Sequence, residues 1–261
     1  MPENSSHYLD GMAQRIEALR NDKDLRLITL DWVARAGGRG YGYNFSWLGR
    51  PIIQVPQDIM AMQELIWQVK PDLVIETGIA HGGSLIMSAS MLAMLDYCEA
   101  VGSGTVLDPA DTRRRVMGVD IDISSRNREA IETHPMAHRI DMLQGSSVDP
   151  GIIAQVHEKA ERHERIMVCL DSDHTHDHVL AELEAYAGLT SKGSYCVVFD
   201  TSIEDMPEEI YTDRSWGKGN NPKTAVWEFL GKDDRFVVDK EIQEKLLITA
   251  SLDGYLKRVK D

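Results

Sequence analysis

The feature that most restricts how this chain can fold is residues 71–95, PDLVIETGIAHGGSLIMSASMLAML. A short apolar run at residues 73–75 predicts a strand, Glu76 stands at its end, and residues 85–95 have the composition of a helix. Between them lie the turn residues Gly78, Gly82, Gly83 and Ser84. A strand that passes through glycines into a helix leaves backbone N–H groups free to face a ligand above the sheet edge. The segment therefore predicts a nucleotide-sized binding site.

The spacing of these glycines differs from two common phosphate-binding motifs. It is not the G-x-G-x-x-G of dinucleotide-binding folds, and it lacks the Lys-Ser/Thr pair that a P-loop places on a triphosphate. Glu76, ahead of the glycines, would repel a pyrophosphate but suits a cation such as the ammonium or sulfonium group of S-adenosylmethionine. The alternative is a tight turn whose glycines only permit close packing.

The composition excludes several classes of protein. The net charge of −14 opposes general association with nucleic acid or with an anionic membrane surface. The N-terminal sequence MPENSSHYLD has neither the basic start nor the apolar core of a signal peptide, and no run approaches 18 uninterrupted apolar residues. We therefore expect a cytoplasmic protein without a membrane span, in which Cys98, Cys169 and Cys196 are reduced thiols.

Apolar runs and helical patterns alternate along most of the chain. The expected strands cover residues 73–75, 116–120, 140–144, 166–171, 195–200, 236–238 and 246–250. The expected helices among them cover residues 85–95, 124–133, 150–162, 177–187 and 223–230. This alternation, with strands that are apolar throughout, predicts an α/β fold built on a doubly wound, mostly parallel sheet of seven strands that is buried on both faces.

Residues 1–55 precede the first strand of this pattern and are predicted to form an N-terminal extension to a domain at residues 56–261. Two helices are expected at residues 8–19 and 25–36, before an aromatic, glycine-rich segment at residues 39–50. That segment is a candidate cover for a ligand site or a subunit contact, so we expect a homo-oligomer.

Two further segments have distinct signals. Asp58 is predicted to cap a helix at residues 59–69. The polar residues 201–222 are too many for an ordinary connection, so they are a candidate lid.

Four of the predicted strands end in an acid, and these acids are Glu76, Asp120, Asp171 and Asp200. The carboxyl ends of parallel strands meet at one edge of the sheet, and ligands bind where the strand order reverses. The four acids are therefore expected around one crevice, where they favour a cationic ligand, a metal ion, or both. The alternative is that each acid is only a helix cap or turn residue.

The positions of these residues along the predicted strands suggest which part of S-adenosylmethionine each one contacts. Glu76 is placed to bind the methionine ammonium, and Asp120 stands where an acid commonly pairs with ribose hydroxyls. Ser146 and Ser147, after Gly145, are expected beside the adenine. The other candidate cofactor-binding residues are Gly78, His81, Gly82, Ser84 and Asp171.

Asp171 and Asp200 are expected on adjacent strands, where each would raise the pKa of the other unless a cation such as Mg²⁺ neutralised them. His174 lies three residues after Asp171, where an acceptor hydroxyl would approach the methyl donor, so it is the candidate general base. An alternative is a zinc site made by Asp171, His174 and His178.

Several motifs together carry a resemblance to a known family. They are YNFSWLGRPIIQVPQDI, IETGIAHGGS, GVDID, LQGSS, LDSDHTHDHV and DGYLKR. Over roughly residues 40–259 the chain resembles the cephalosporin hydroxylase and rhamnosyl O-methyltransferase family. The resemblance implies the Rossmann-like class I fold of S-adenosylmethionine-dependent methyltransferases. Several members are magnesium-dependent sugar O-methyltransferases of antibiotic biosynthesis.

The resemblance also implies roles for particular residues. An Asp-x-x-His after the fourth strand supplies a metal ligand and the catalytic base in the family, which matches Asp171 and His174. A Glu-Asp pair at the end of the fifth strand supplies two more ligands, but this chain has Phe199-Asp200. We consider Glu204 and Asp205 as replacements for the missing Glu because they follow closely.

The expected function is methyl transfer from S-adenosylmethionine to a sugar hydroxyl, in a small-molecule acceptor. The acceptor is a nucleotide-linked deoxysugar such as TDP-rhamnose, with Arg214, Lys218 and Lys223 as the cations for its phosphates, or a glycosylated natural product. Two alternatives are an iron-dependent hydroxylase, which would use Asp171, His174 and His178 as metal ligands, and a non-catalytic partner protein that binds S-adenosylmethionine.

Overall fold

The structure is a computed structural model that describes residues 4–110 and 113–261. The helices are α1 (Asn4–Asn21), α2 (Lys23–Gly37), α3 (Pro56–Val69), α4 (Gly83–Ser103), α5 (Ser125–Glu132), α6 (Pro150–Ala160), α7 (His176–Tyr186), α8 (Pro222–Lys232) and α9 (Lys240–Leu246). The strands are β1 (Phe45–Trp47), β2 (Arg50–Ile52), β3 (Leu73–Thr77), β4 (Arg115–Asp120), β5 (Ile140–Gln144), β6 (Ile166–Leu170), β7 (Tyr195–Val198), β8 (Phe236–Val238) and β9 (Tyr255–Arg258).

Seven of these strands form one twisted sheet in the order β5-β4-β3-β6-β7-β9-β8. The five strands from β5 to β7 are parallel, whereas β9 is antiparallel to both β7 and β8. The chain builds outward from β3 in one direction through β4 and in the other through β6, so the strand order reverses at β3. The predicted doubly wound, mostly parallel sheet of seven strands is confirmed.

The core has two layers because the sheet is buried on both faces. Successive residues of a strand point to opposite faces, so Val74 packs with α3 and α4 while Leu73 and Ile75 pack with α6 and α7. All five residues of β3 and of β6 are buried, which explains the uninterrupted apolar runs in the sequence. The carboxyl ends of the parallel strands consequently meet at one exposed edge.

The predicted strand at residues 246–250 is wrong. The helix α9 ends at Leu246, and Leu247 has a φ of +62°, a left-handed conformation that a β-strand does not accommodate. The last strand of the sheet is β9, which pairs with both β7 and β8. Ile248 and Ala250 line a cavity described below, so their apolar character serves a purpose other than strand pairing.

Helix α4 is longer than the residues 85–95 that the sequence indicated, because it continues to Ser103 and ends at Gly104, whose φ is +67°. Among the described residues it is the one helix long and apolar enough to cross a membrane by length and composition alone. Its buried residues Leu85, Ile86 and Leu92 pack against the sheet, which is the placement of a core helix.

Asp58 does not cap α3, as the sequence had indicated. The helix begins at Pro56, and its N-cap residue is Val55. Asp58 is instead buried, where its carboxylate accepts hydrogen bonds from the Ala250 backbone N–H at 2.8 Å and from the Tyr255 hydroxyl at 2.9 Å. Burial raises the pKa of Asp58 to about 6. The residue therefore fixes the loop that precedes β9.

A β-hairpin that the sequence did not predict lies within the aromatic segment. Strands β1 and β2 are antiparallel, and the turn residues Leu48 and Gly49 both have positive φ, as tight hairpin turns require. The indole N–H of Trp47 donates to the Ser90 hydroxyl of α4 at 2.9 Å. The hairpin is thereby held over the start of α4, next to the carboxyl edge of the sheet.

Candidate active site

The turn after β3 is tightly enclosed by its neighbours. Gly78 has a φ of +87°, and a Cβ there would lie 2.0 Å from the carbonyl oxygen of Asp171. A Cβ on Gly83 would lie 2.2 Å from the carbonyl oxygen of Pro51 in the hairpin. Both positions therefore need glycine, the first for conformation and space and the second for space. The turn is pressed between β6 and the hairpin, and α4 begins within it.

Glu76 lies beneath this turn and is buried, with 4% of its surface exposed. Its carboxylate accepts a hydrogen bond from the hydroxyl of Ser84 in the first turn of α4. Burial raises the pKa of Glu76 to about 7, although the hydrogen bond from Ser84 opposes this effect. Ser84 lines the cavity above the turn, so it connects the buried carboxylate to any ligand in that cavity.

Asp120, at the end of β4, shapes the same turn. One carboxylate oxygen accepts hydrogen bonds from the backbone N–H groups of Ile79 at 2.8 Å and Ala80 at 3.1 Å. The other accepts from the N–H of Asp122 at 3.1 Å. Thus Glu76 and Asp120 lie on either side of the turn, and both act on its conformation.

Three side chains at the ends of β6 and β7 form a candidate metal centre. Ligand atoms of Asp171, His174 and Asp200 all lie within 4.8 Å of one another. The Nε2 of His174 is 3.3 Å from a carboxylate oxygen of Asp200. Burial and the negative charge of Asp200 raise the pKa of Asp171 well above its usual range. Two carboxylates and an imidazole so arranged fit a divalent cation.

The position of the missing family Glu is occupied by a core residue. Phe199 is 4% exposed and belongs to the cluster that packs beneath α3 and α4. Asp200 has a φ of +55°, an uncommon conformation for a residue other than glycine. This backbone turns the carboxylate of Asp200 toward His174 while Phe199 stays inside.

The proposed replacement ligands are bound elsewhere. Glu204 accepts hydrogen bonds from the side chain of Asn221 at 2.6 Å and from the backbone of Gly219 at 2.8 Å. Asp205 pairs with the buried ammonium of Lys223 at 2.7 Å. Lys223 is therefore not available to a phosphate, in contrast to the sequence-based assignment.

His178 is separated from the candidate metal centre by its own partners. Its Nε2 lies 3.0 Å from the hydroxyl of Ser147, 3.2 Å from that of Ser172 and 3.5 Å from the carboxylate of Glu182. The hydrogen bond to Glu182 raises the pKa of His178. The group of side chains close enough to share a metal ion among the described residues is Asp171, His174 and Asp200, without His178. The zinc and iron alternatives require His178 together with Asp171 and His174, so their metal site is not formed.

Two adjacent cavities open along the edge of the sheet. The first, of about 230 Å³, lies above the glycine turn and is lined by Gly78, His81, Gly83, Ser84 and Asp171 among others. The second, of about 510 Å³, is lined by α2, the aromatic segment, the loop before β9 and residues of the long excursion after β7. Both cavities are bordered by the same five residues, which are Tyr43, Ile53, Gln54, His174 and Asp200. The sequence pattern had marked only the last two as functional.

The other residues predicted to contact the cofactor lie at or near the same edge of the sheet. Gly82 takes the left-handed conformation at the N-cap of α4, and the ring of His81 lies 3.5 Å from the side-chain amide of Asn127. The carbonyl oxygen of Ser147 accepts a hydrogen bond from the Tyr186 hydroxyl, and Ser146 precedes it in the turn that follows β5. Ser146, Ser147 and Asp120 stand at the same sheet edge as the 230 Å³ cavity but do not line it.

Comparison with known proteins identifies the family. The model of the family described as Rhamnosyl O-methyltransferase/CmcI matches residues 39–259. The chain belongs to this family. The rhamnosyl O-methyltransferase of Mycobacterium tuberculosis (strain ATCC 25618 / H37Rv) is 30% identical over 206 residues, which are 77% of this chain and 73% of that relative. The Mycobacterium leprae (strain TN) protein of the same name is 28% identical over 185 residues, 68% of this chain and 71% of that relative.

Comparison with solved structures agrees with the fold. A structure described as cmcI-D160 Mg-SAM has a TM-score of 0.53 and 17% identity, and covers 84% of this chain and 78% of that chain. A structure described as CmcI-N160 apo has the same TM-score, identity and coverage. The expected family, the class I methyltransferase fold and the enzyme class, an S-adenosylmethionine-dependent O-methyltransferase, are confirmed.

Proposed function

We propose that the protein transfers the methyl group of S-adenosylmethionine to a hydroxyl of a sugar. The donor binds in the 230 Å³ cavity above the glycine turn, and the acceptor binds in the 510 Å³ cavity beside it. The observation that carries this proposal is that the two cavities meet at His174 and Asp200, which are the residues with acid–base and metal-binding chemistry. Holding both substrates at one junction supplies much of the acceleration of such a reaction.

The donor contacts follow from the turn. Backbone N–H groups at the start of α4 and the hydroxyl of Ser84 face the methionine end of the donor. Glu76 attracts its ammonium through Ser84 and becomes charged as it does so. Asp120 and the pair Ser146-Ser147 stand at the neighbouring strand ends, where we assign them to the ribose and the adenine.

His174 is assigned as the general base. Its ring lies edge-on against Trp216, with the ring centroids 4.9 Å apart, and its Nε2 is 3.3 Å from Asp200. These two contacts fix the plane of the imidazole at the cavity junction. A hydroxyl in the acceptor cavity gives its proton to this imidazole as the oxygen attacks the methyl carbon, and the sulfur takes the electron pair of the bond that breaks.

Asp171 and Asp200 are assigned as the ligands of a magnesium ion. The raised pKa of Asp171 reflects burial and the adjacent carboxylate, and a bound cation removes this cost. Such an ion supplies positive charge that orients and acidifies the acceptor hydroxyl. We assign His174 as the general base and not as a metal ligand, because an imidazole nitrogen that binds a metal cannot also accept a proton.

The lining of the 510 Å³ cavity favours one of the two expected kinds of acceptor. Its walls are mostly apolar and aromatic, with side chains such as Trp32, Tyr41, Ile210 and Trp216. Among the described lining residues, Arg214 is the one Lys or Arg, and its guanidinium lies over the Trp216 ring, 5.3 Å from the centroid. We therefore propose a sugar carried by an apolar natural product as the acceptor, in preference to a nucleotide-linked sugar.

Methylation assays with an aryl rhamnoside and with TDP-rhamnose test this function. We expect methylated product with both S-adenosylmethionine and Mg²⁺ present, and a higher kcat/KM for the aryl rhamnoside. His174→Ala should lower kcat by about 100-fold or more, which is the usual contribution of a general base. His176→Ala is the matched control, because His176 bonds with Thr224 and Glu228 outside the junction.

Three outcomes would contradict the proposal. Full turnover of His174→Ala would remove this residue as the base, and undiminished activity after exhaustive chelation would remove the metal. A hydroxylated product that depends on iron and 2-oxoglutarate would replace methyl transfer with oxygenation.

A further inference from the structure

Gln54 is a buried residue whose amide oxygen has no hydrogen-bond partner among the described residues. It lies between β2 and α3, 8% of its surface is exposed, and the amide oxygen itself is buried. A buried carbonyl oxygen that makes no hydrogen bond is costly, and native proteins retain few of them. An amide in this state that also borders a cavity points to a contact made when a ligand is bound.

The location of Gln54 defines which ligand that is. Gln54 borders both cavities, as do His174 and Asp200. At this junction the donor presents a methyl group, which has no N–H or O–H to donate. A sugar bound in the 510 Å³ cavity presents several hydroxyls, of which one faces His174. The polar groups of a ligand beside Gln54 at this junction are therefore the hydroxyls of the acceptor.

We propose that Gln54 determines acceptor specificity: its side-chain amide forms a hydrogen bond with the hydroxyl adjacent to the one that is methylated. The site then recognises a vicinal diol, with one hydroxyl at His174 and Asp200 and its neighbour at Gln54. This inference rests on the proposed function. Sites that hydrogen-bond a substrate hydroxyl reject the analogue that lacks it, because their own polar group is left unpaired.

The first arm of the test changes the acceptor and leaves the protein intact. The wild-type protein methylates p-nitrophenyl α-L-rhamnopyranoside, and NMR identifies the position of the new methyl group. Deoxy analogues that lack either hydroxyl adjacent to that position are then compared with the parent. We expect kcat/KM to fall about 10- to 100-fold for one of these analogues. Equal values for all the substrates that can be methylated would overturn the proposal.

The second arm changes the amide. Gln54→Met keeps the length of the side chain and removes its polar atoms, so it should lower kcat/KM for the parent rhamnoside about 10- to 100-fold and lose discrimination against the deoxy analogue. The thermal midpoint should not decrease, because an unpaired buried oxygen is removed, and the Kd for S-adenosylhomocysteine should not change. The last two measurements separate a specificity role from a merely structural one.

Gln57→Met is the matched control. Gln57 also has a buried amide oxygen without a partner among the described residues, but it borders neither cavity. Its kinetics should match the wild type. Weaker S-adenosylhomocysteine binding in Gln54→Met with unchanged acceptor kinetics would assign Gln54 to the donor and overturn the proposal. No methylated product from the wild type would overturn the proposed function as well, whereas normal methylation without discrimination would overturn only this inference.

Discussion

The two sides of the site are built in different ways. The proposed donor side comes from one continuous stretch, in which β3, the glycine turn and the start of α4 follow one another and are enclosed by Asp171 and Pro51. The acceptor side is assembled from segments far apart in sequence, including α2, the aromatic segment and the excursion that carries Trp216. The donor side has close backbone contacts that allow no Cβ, whereas the acceptor side has a larger cavity walled by side chains.

Because of this difference, we expect the two sides to tolerate substitutions differently. On the donor side the chemistry depends on backbone N–H groups and on the space that glycine leaves, so small changes there should abolish binding. On the acceptor side many apolar and aromatic side chains share the contact, so single changes among these walls should have modest effects. The following predictions test this contrast, and they begin with the largest expected effect.

Gly78→Ala should have the largest effect. The added Cβ meets the Asp171 carbonyl at 2.0 Å in a left-handed backbone conformation, so both space and conformation oppose it. We expect the Kd for S-adenosylhomocysteine to rise beyond measurement and the free energy of unfolding to fall by about 3 kcal/mol. Gly193→Ala is the control, because Gly193 has a φ of +83° but no atom within 4 Å of its Cβ position. It should lose only about 1 kcal/mol. Equal losses in the two variants would contradict the role of close packing.

Asp171→Asn should separate activity from stability. It removes a partly buried carboxylate whose pKa is raised by burial and by the neighbouring charge of Asp200. Without metal we expect the thermal midpoint to rise by about 2–4 °C, a change of roughly 1 kcal/mol. Activity should fall about 100-fold or more, and added Mg²⁺ should no longer stabilise the protein. Asp177→Asn, in the first turn of α7, should keep the response to Mg²⁺. A lower midpoint for Asp171→Asn would contradict this prediction.

Donor affinity should increase with pH because of Glu76. Burial raises its pKa to about 7, so folding favours the protonated form. Its contribution to stability is therefore fully present below about pH 4 and is lost as the pH rises through about 7. The donor ammonium prefers the charged carboxylate, so the Kd for S-adenosylhomocysteine should fall about ten-fold between pH 6 and pH 8. Calorimetry with Glu76→Gln should show a flat profile, and the same slope in this variant would exclude Glu76.

Trp32→Ala, on the acceptor side, should have the smallest effect. Trp32 lines the 510 Å³ cavity and packs edge-on against Tyr41, with the ring centroids 5.1 Å apart. We expect KM for an aryl rhamnoside to rise about five- to ten-fold, with the Kd for S-adenosylhomocysteine unchanged. Trp67→Ala is the control, because Trp67 is 52% exposed on α3 and borders neither cavity. A larger effect on the donor than on the acceptor would contradict the contrast between the two sides.

The sheet and the glycine turn after β3 could largely be predicted from the sequence. A strand buried on both faces is largely apolar, and the residues at its carboxyl end lie near the ligand edge. For this reason β3, β6 and the acids Glu76 and Asp171 were recognisable. The apolar run at residues 246–250 was wrongly predicted to be a strand. Residues that line a cavity and residues that pair in a sheet are both apolar, so the sequence does not distinguish them.

The proposed acceptor side could be predicted only in part. The aromatic segment and residues 201–222 were expected to be a cover and a lid, but the side chains that meet in the cavity depend on contacts between distant segments. Gln54 stands in an ordinary connection, and only the fold brings it beside His174. Its signal is the buried oxygen without a partner, which no sequence pattern records. Similarly, the direction in which Asp120 points depends on the N–H groups of the turn, which fix it after the chain has folded.

The hairpin joins the two sides, and this limits how the enzyme can change its acceptor. The guanidinium of Arg50 donates to the His81 carbonyl of the donor turn at 3.0 Å, and Pro51 touches Gly83. A substitution that reshapes the hairpin for a new substrate would also disturb the cofactor. The excursion around Ile210 and Trp216 has no such attachment to the donor turn among the described contacts. Directed evolution of substrate range should therefore accept changes in the excursion far more readily than in the hairpin.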